Sequence, residues 1–150
     1  MIHNPNQILL QVDCDNTGEL FHPAAAFAAD AAGLPRDRVL EGPLWRESLG
    51  PTAIGQSVAL PHARVDHAPA PIALLLHLRR PVAFDAEDRT AVDIVFTLLF
   101  PAEQQREVFS TLRWAAAILS RAEVQRAIRR GQDRQGVHAY LTSAFTIGVR

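Results

Sequence analysis

The sequence predicts a single-domain, three-layer α/β/α sandwich: a mixed β-sheet with helices on both faces. Three observations carry this expectation. A chain of 150 residues suits one domain. Its middle alternates apolar and polar residues at the strand period, and both ends carry apolar residues at helical spacing. No internal repeat, low-complexity tract or Gly/Ser linker divides it, so residues 1–150 read as one domain.

The elements follow in order. Gln7–Cys14 alternates, with Ile8, Leu10, Val12 and Cys14 on one side, as in a half-buried strand. Asp15-Asn16-Thr17-Gly18 reads as a turn. A helix is expected from Pro23 to Ala32, with Pro at its first position and Gly33 at its left-handed end. A second helix is expected from Pro35 to Arg46–Ser48, kinked or restarted at Gly42-Pro43. Strands are expected at Ser57–Leu60, Ile72–Leu78 and Ala91–Phe100, the last with Val92, Ile94, Phe96, Leu98 and Phe100 alternating. Pro101 ends that strand. Glu103–Leu119 then has helical spacing, with Val108, Leu112, Ala115, Ala116 and Leu119 on one face. Ser120-Arg121-Ala122-Glu123 has the form of a capping box opening a helix that Gly131 closes, and a last helix spans Asp133–Leu141.

Composition narrows the chemistry. Net charge is −1, and all 15 basic residues are arginine. Without lysine there is no Walker-type phosphate loop and no pyridoxal Schiff base. Cys14 is the single cysteine, which excludes an internal disulfide and a thiolate-rich zinc site. Apolar runs such as Ile72–Leu76 and Ile94–Phe100 are too short to cross a bilayer, and the N-terminus does not look like a signal peptide. Near-neutral charge without a basic stripe argues against nucleic acid and anionic membrane. A cytoplasmic domain without membrane insertion is expected.

Among six histidines (3, 22, 62, 67, 77 and 138), His62 stands out by its setting, Ser57-Val58-Ala59-Leu60-Pro61-His62-Ala63-Arg64. A short apolar strand leads to Pro61, which holds Leu60 extended and delivers the imidazole at a strand end, on a loop. A neutral imidazole is a good nucleophile near pH 7, and Arg64 offers a planar guanidinium for phosphate. Arg46-Glu47 lies upstream, before the loop Gly50-Pro51-Thr52-Ala53-Ile54-Gly55, whose backbone N–H groups can point at an anion. His62 and His67, with Asp66 as the sole third ligand, make a poor metal site, and none is expected. His77 reads as a packed or edge residue, His22 as a helix-start marker, and Trp45 and Trp114 as packing or interface residues.

The stretch Arg46-Glu47, Gly50-Pro51-Thr52-Ala53-Ile54-Gly55 and Ala59-Leu60-Pro61-His62 resembles the signature of fructose/mannitol-type enzyme IIA domains. These belong to the phosphoenolpyruvate-dependent phosphotransferase system. The resemblance continues through Pro81–Asp88, Val92–Phe96 and Pro101–Gln104, spanning about residues 35–141, and is greatest to the nitrogen-regulatory branch.

The resemblance implies the fold named above and a phosphocarrier function without cofactor. His62 takes the position of the phosphorylated nucleophile and Arg46 that of the phosphate contact. Thr52, Ala53, Ile54 and Gly55 would supply N–H donors, with Arg64 as a further binding residue. An HPr-type phosphocarrier protein is the implied donor. A IIB domain, a regulated transporter or a sensor kinase is the implied downstream partner. The position of the family's second histidine falls on Val108. That departure leaves an alternative, a IIA-like regulator that binds partners with weak or no phosphotransfer.

Overall fold

The structure, a computed structural model, describes residues 5–33, 46–48, 57–65, 68, 70–83 and 91–148. Among these residues the centre is a five-stranded mixed sheet. The strands are β1 (Ile8–Val12), β2 (Arg46–Ser48), β3 (Val58–Arg64), β4 (Ile72–Ala83) and β5 (Ala91–Phe100). Their order is β1-β4-β5-β3-β2. The pairs β1–β4 and β3–β5 are parallel, while β4–β5 and β2–β3 are antiparallel.

Helices cover both faces, as the sequence predicts. On one side lies α1 (Thr17–Ala32), where Ala25 and Ala29 pack against Ala63, Val65 and Leu99. On the other lie α2 (Gln105–Leu119), α3 (Ala122–Arg130) and α4 (Arg134–Gly148). Their Val108, Leu112, Val124, Ile128 and Leu141 bury against Leu60, Leu75, Ile94, Phe96 and Leu98 of the sheet. Strand β4 reads Ile-Ala-Leu-Leu-Leu because both of its faces are covered: Leu75 joins the α2–α4 core while Leu74 and Leu76 join the opposite one.

Two backbone irregularities overturn the simple alternation expected of β1 and β5. In β1, Gln11 adopts a left-handed φ of 53° and the register to β4 shifts between Leu9 and Val12. Ile8 and Leu10 therefore face the α2–α4 side, whereas Val12 and Cys14 join the core on the α1 side. In β5, the N–H groups of Asp93 and Ile94 both donate to the Ser57 carbonyl, at 3.1 and 3.2 Å. This places an extra residue in the strand, so Val92 turns to the face opposite Ile94.

Helix ends differ from expectation for local reasons. Helix α1 starts at Thr17, not Pro23, because Asn16 is its cap. The Asn16 side chain accepts from the Glu19 N–H at 2.9 Å, and the Glu19 carboxylate accepts from the Asp15 N–H at 2.9 Å. Pro23 and the exposed His22 therefore sit inside the helix. Gly33 closes it in the left-handed conformation at φ 69°, as expected. The capping box at Ser120–Glu123 does not form. Ser120 Oγ instead donates back to the Ala117 carbonyl at 2.9 Å, and the buried Gln125 amide donates to the Leu119 carbonyl at 2.8 Å. Gly131 is needed for a close approach, since a Cβ there would run into the Val137 side chain. The expected helix from Pro35 lies outside the described residues until its last three, which are strand.

Where α3 meets the sheet, Arg129 holds the Asp93 carboxylate through two bonds of 2.8 and 2.9 Å. His77 Nε2 stands 3.9 Å from the same carboxylate. Burial pushes the His77 pKa below its ordinary value near 6.5, against the pull of Asp93 and with a further push from Arg129. The unfolded chain therefore takes up a proton at His77 at a higher pH than the folded one, and stability falls as pH drops below about 6.5. A His77→Leu protein should lose less stability between pH 7.5 and 5.5 than the wild type, measured by urea unfolding. Equal losses would show that Asp93 offsets the burial.

Candidate functional site

The site begins with β3, whose alternation is fixed by burial. Val58 and Leu60 belong to the core under α2–α4, and Ala59 and Ala63 to the opposite face. His62 and Arg64 continue the Val58–Leu60 face at period two. Pro61 is buried within the strand, and His62 is half-buried. The strand continues to Arg64, so His62 lies inside a paired strand rather than on a loop beyond its end.

Register supplies the neighbours. His62 pairs with Arg46 on antiparallel β2 and with Leu98 on parallel β5. Arg46 and His62 are thus directly opposed positions on neighbouring strands. The expectation that Arg46 ends a helix is thus corrected. Arg46-Glu47-Ser48 is a strand because it pairs with His62-Pro61-Leu60 along the side of β3 that β5 leaves open.

A contact the sequence does not reveal orients the imidazole. His62 Nδ1 lies 3.2 Å from the Leu60 carbonyl oxygen. A carbonyl can only accept, so the bond places the proton on Nδ1 and leaves the lone pair on Nε2. Neither the tautomer nor the ring direction is left to chance.

The remaining candidates divide. Arg64 is exposed at the end of β3, in register with Phe100. Val108 is 2% exposed and packs in the same core as Leu60 and Leu98. Together with Leu98 it also lines a cleft of about 320 Å³ whose polar margin is Gln104, Glu107 and Thr111. Thr52, Ala53, Ile54 and Gly55 lie outside the described residues, as do His67 and Trp45. Trp114 packs against the core. Cys14 is buried. Burial first, then the carboxylates of Glu19, Asp13 and Asp15, push its thiol above the ordinary range, which leaves little reactive thiolate. Among the described residues, no helix is long and apolar enough to cross a membrane.

Named proteins and a solved structure resemble this chain over most of its length. The nitrogen regulatory protein of Klebsiella oxytoca is 32% identical over 135 residues, covering 89% of this chain and 83% of its own length. That of Bradyrhizobium diazoefficiens is 31% identical over 137 residues, covering 91% and 90%. The crystal structure of nitrogen regulatory protein IIA-Ntr from Neisseria meningitidis superposes with a TM-score of 0.77 at 25% identity, over 92% of this chain and 94% of that one. The family described as phosphoenolpyruvate-dependent sugar phosphotransferase system, EIIA 2, matches residues 1–144. The chain belongs to that EIIA family.

Proposed function

We propose that this chain is a phosphocarrier of the nitrogen-regulatory IIA type, which accepts a phosphoryl group on His62 from an HPr-type protein. It then passes the group to a IIB-like partner or signals by its phosphorylation state to a transporter or sensor kinase. The observation that carries the reading is the register of Arg46 beside a histidine whose Nδ1 is held by a backbone carbonyl.

The chemistry follows from that geometry. The Nε2 lone pair attacks the phosphorus of the donor's phosphohistidine. The new N–P bond forms as the donor's N–P bond breaks, and the donor imidazole leaves with the electron pair. Positive charge grows on the His62 ring, and the Leu60 carbonyl stabilises it through the Nδ1–H bond. Negative charge on the transferring oxygens meets the Arg46 guanidinium and the N–H groups of Thr52–Gly55, with Arg64 close by in sequence. The donor ring, protonated on its other nitrogen before transfer, leaves as a neutral imidazole, so the positive charge passes to the His62 ring without a proton crossing between them.

Mass spectrometry after incubation with phosphorylated HPr-type carrier tests this directly. The wild type should gain one phosphoryl group and His62→Ala none. Gain by the variant would place the nucleophile elsewhere. Arg46→Ala should fold normally and slow phosphorylation by a factor of about 10²–10³, as loss of one preorganised contact does. An unchanged rate would remove Arg46 from the site.

Val108 favours a second reading, a regulator that docks partners without efficient transfer. Its buried apolar side chain can neither donate nor accept a hydrogen bond where the family carries an imidazole. We expect His62 still to accept phosphate, more slowly or to a lower equilibrium fraction than in relatives with both histidines. Val108→His should raise one of these quantities. A folded Val108→His protein with its new ring beside His62 and neither quantity changed would defeat that expectation.

A further inference from the structure

Helix α2 is apolar inward and carries an unusual outward face. Val108, Leu112, Ala115, Ile118 and Leu119 anchor it in the core. On the far side, Arg106, Phe109 and Arg113 follow at i, i+3 and i+7 and share one stripe. Phe109 is 59% exposed, the large apolar side chain that stands open among the described residues. Arg106 and Arg113 are exposed and have no carboxylate partner among those residues. An open aromatic ring is costly to leave in water, and burial on a partner would recover that cost. Two unpaired guanidiniums beside it add a fixed sign of charge.

We propose that this stripe, Arg106–Phe109–Arg113, is a docking surface for an acidic amphipathic protein segment. Its apolar residues would cover the Phe109 ring while its carboxylates engage the two guanidiniums. Aromatic and arginine side chains are the usual anchors of interfaces, and guanidinium forks match carboxylates in pairs. A membrane surface fits less well. Electrostatic attachment to anionic lipid takes about four to eight basic residues, and this stripe has two. The two residues at Glu103 and Glu107, exposed on the same helical segment, would further repel an anionic sheet of charge.

The test uses the whole chain and a helical peptide in which leucines, spaced three and four residues apart, are flanked by glutamates. Saturable binding should appear by fluorescence anisotropy at low salt. Phe109→Ala should weaken it about tenfold or more, as should the double change Arg106→Glu, Arg113→Glu. The same peptide with lysine in place of glutamate should rescue the double variant. Thermal melting and phosphorylation of His62 serve as fold controls for each variant. The proposal is overturned by absence of saturable binding or by binding that survives both variants. Equal binding of a glutamate peptide without leucines would also overturn it, because Phe109 would then have no part. So would self-association of the chain that Phe109→Ala abolishes, or capture by phosphatidylserine vesicles without peptide binding. Those two results would assign the stripe to a second copy or to lipid.

Discussion

Strand β3 is paired along both of its sides, and the candidate site depends on that constraint. Parallel β5 sets His62 beside Leu98, and antiparallel β2 sets it beside Arg46. A one-residue slip in either pairing would turn His62 toward the α1 side and replace it with Pro61 or Ala63. The alternation of Leu60 into one core and Ala59 and Ala63 into the other makes such a slip expensive. Hydrophobic burial thus holds a polar pair in register. The Leu60 carbonyl adds a last restraint, because the strand that positions the ring also fixes its tautomer.

Two irregularities let thin strands serve two cores. The turn of the backbone at Gln11 shares β1 between both faces, and the extra residue at Asp93–Ile94 does the same for β5. Asp93 emerges at that irregularity toward α3, where Arg129 grips it in a two-bond fork. The fork ties α3 to the sheet at the Ala91 end of β5, whereas His62 lies alongside its Phe100 end.

Much of this was legible in the residues. The period-two run of Ala91–Phe100, the helical stripe from Val108 to Leu119 and the left-handed Gly33 each carry their own local signal. The strand at Arg46–Ser48 does not. Three polar residues after a helical-looking segment have no β pattern of their own, and their conformation is imposed by the open side of β3. Local motifs also misled in both directions. Asp15-Asn16-Thr17-Gly18 has the composition of a turn yet Asn16 caps a helix, while Ser120–Glu123 has the form of a cap yet Ser120 bonds backward. At the site, the residue types at 46 and 62 were readable, but their adjacency across two strands was not. Nothing in the spacing announces the Leu60 carbonyl, because every strand residue carries one.

The strand order also sets an order of assembly. Two antiparallel pairs are joined by short connections: β4 to β5, with Ala83 opposite Ala91, and β2 to β3, with Ser48 opposite Leu60. Pairing Ile8 with Leu75, or Val58 with Ile94, closes a far longer loop and costs more chain entropy before any contact repays it. The two hairpins are therefore the local units, and the parallel β3–β5 pairing that joins them is the later, non-local step. The arginine–histidine pairing is accordingly a local contact made within one hairpin, yet it sits at the sheet's edge and is the first exposed when the sheet frays from that side.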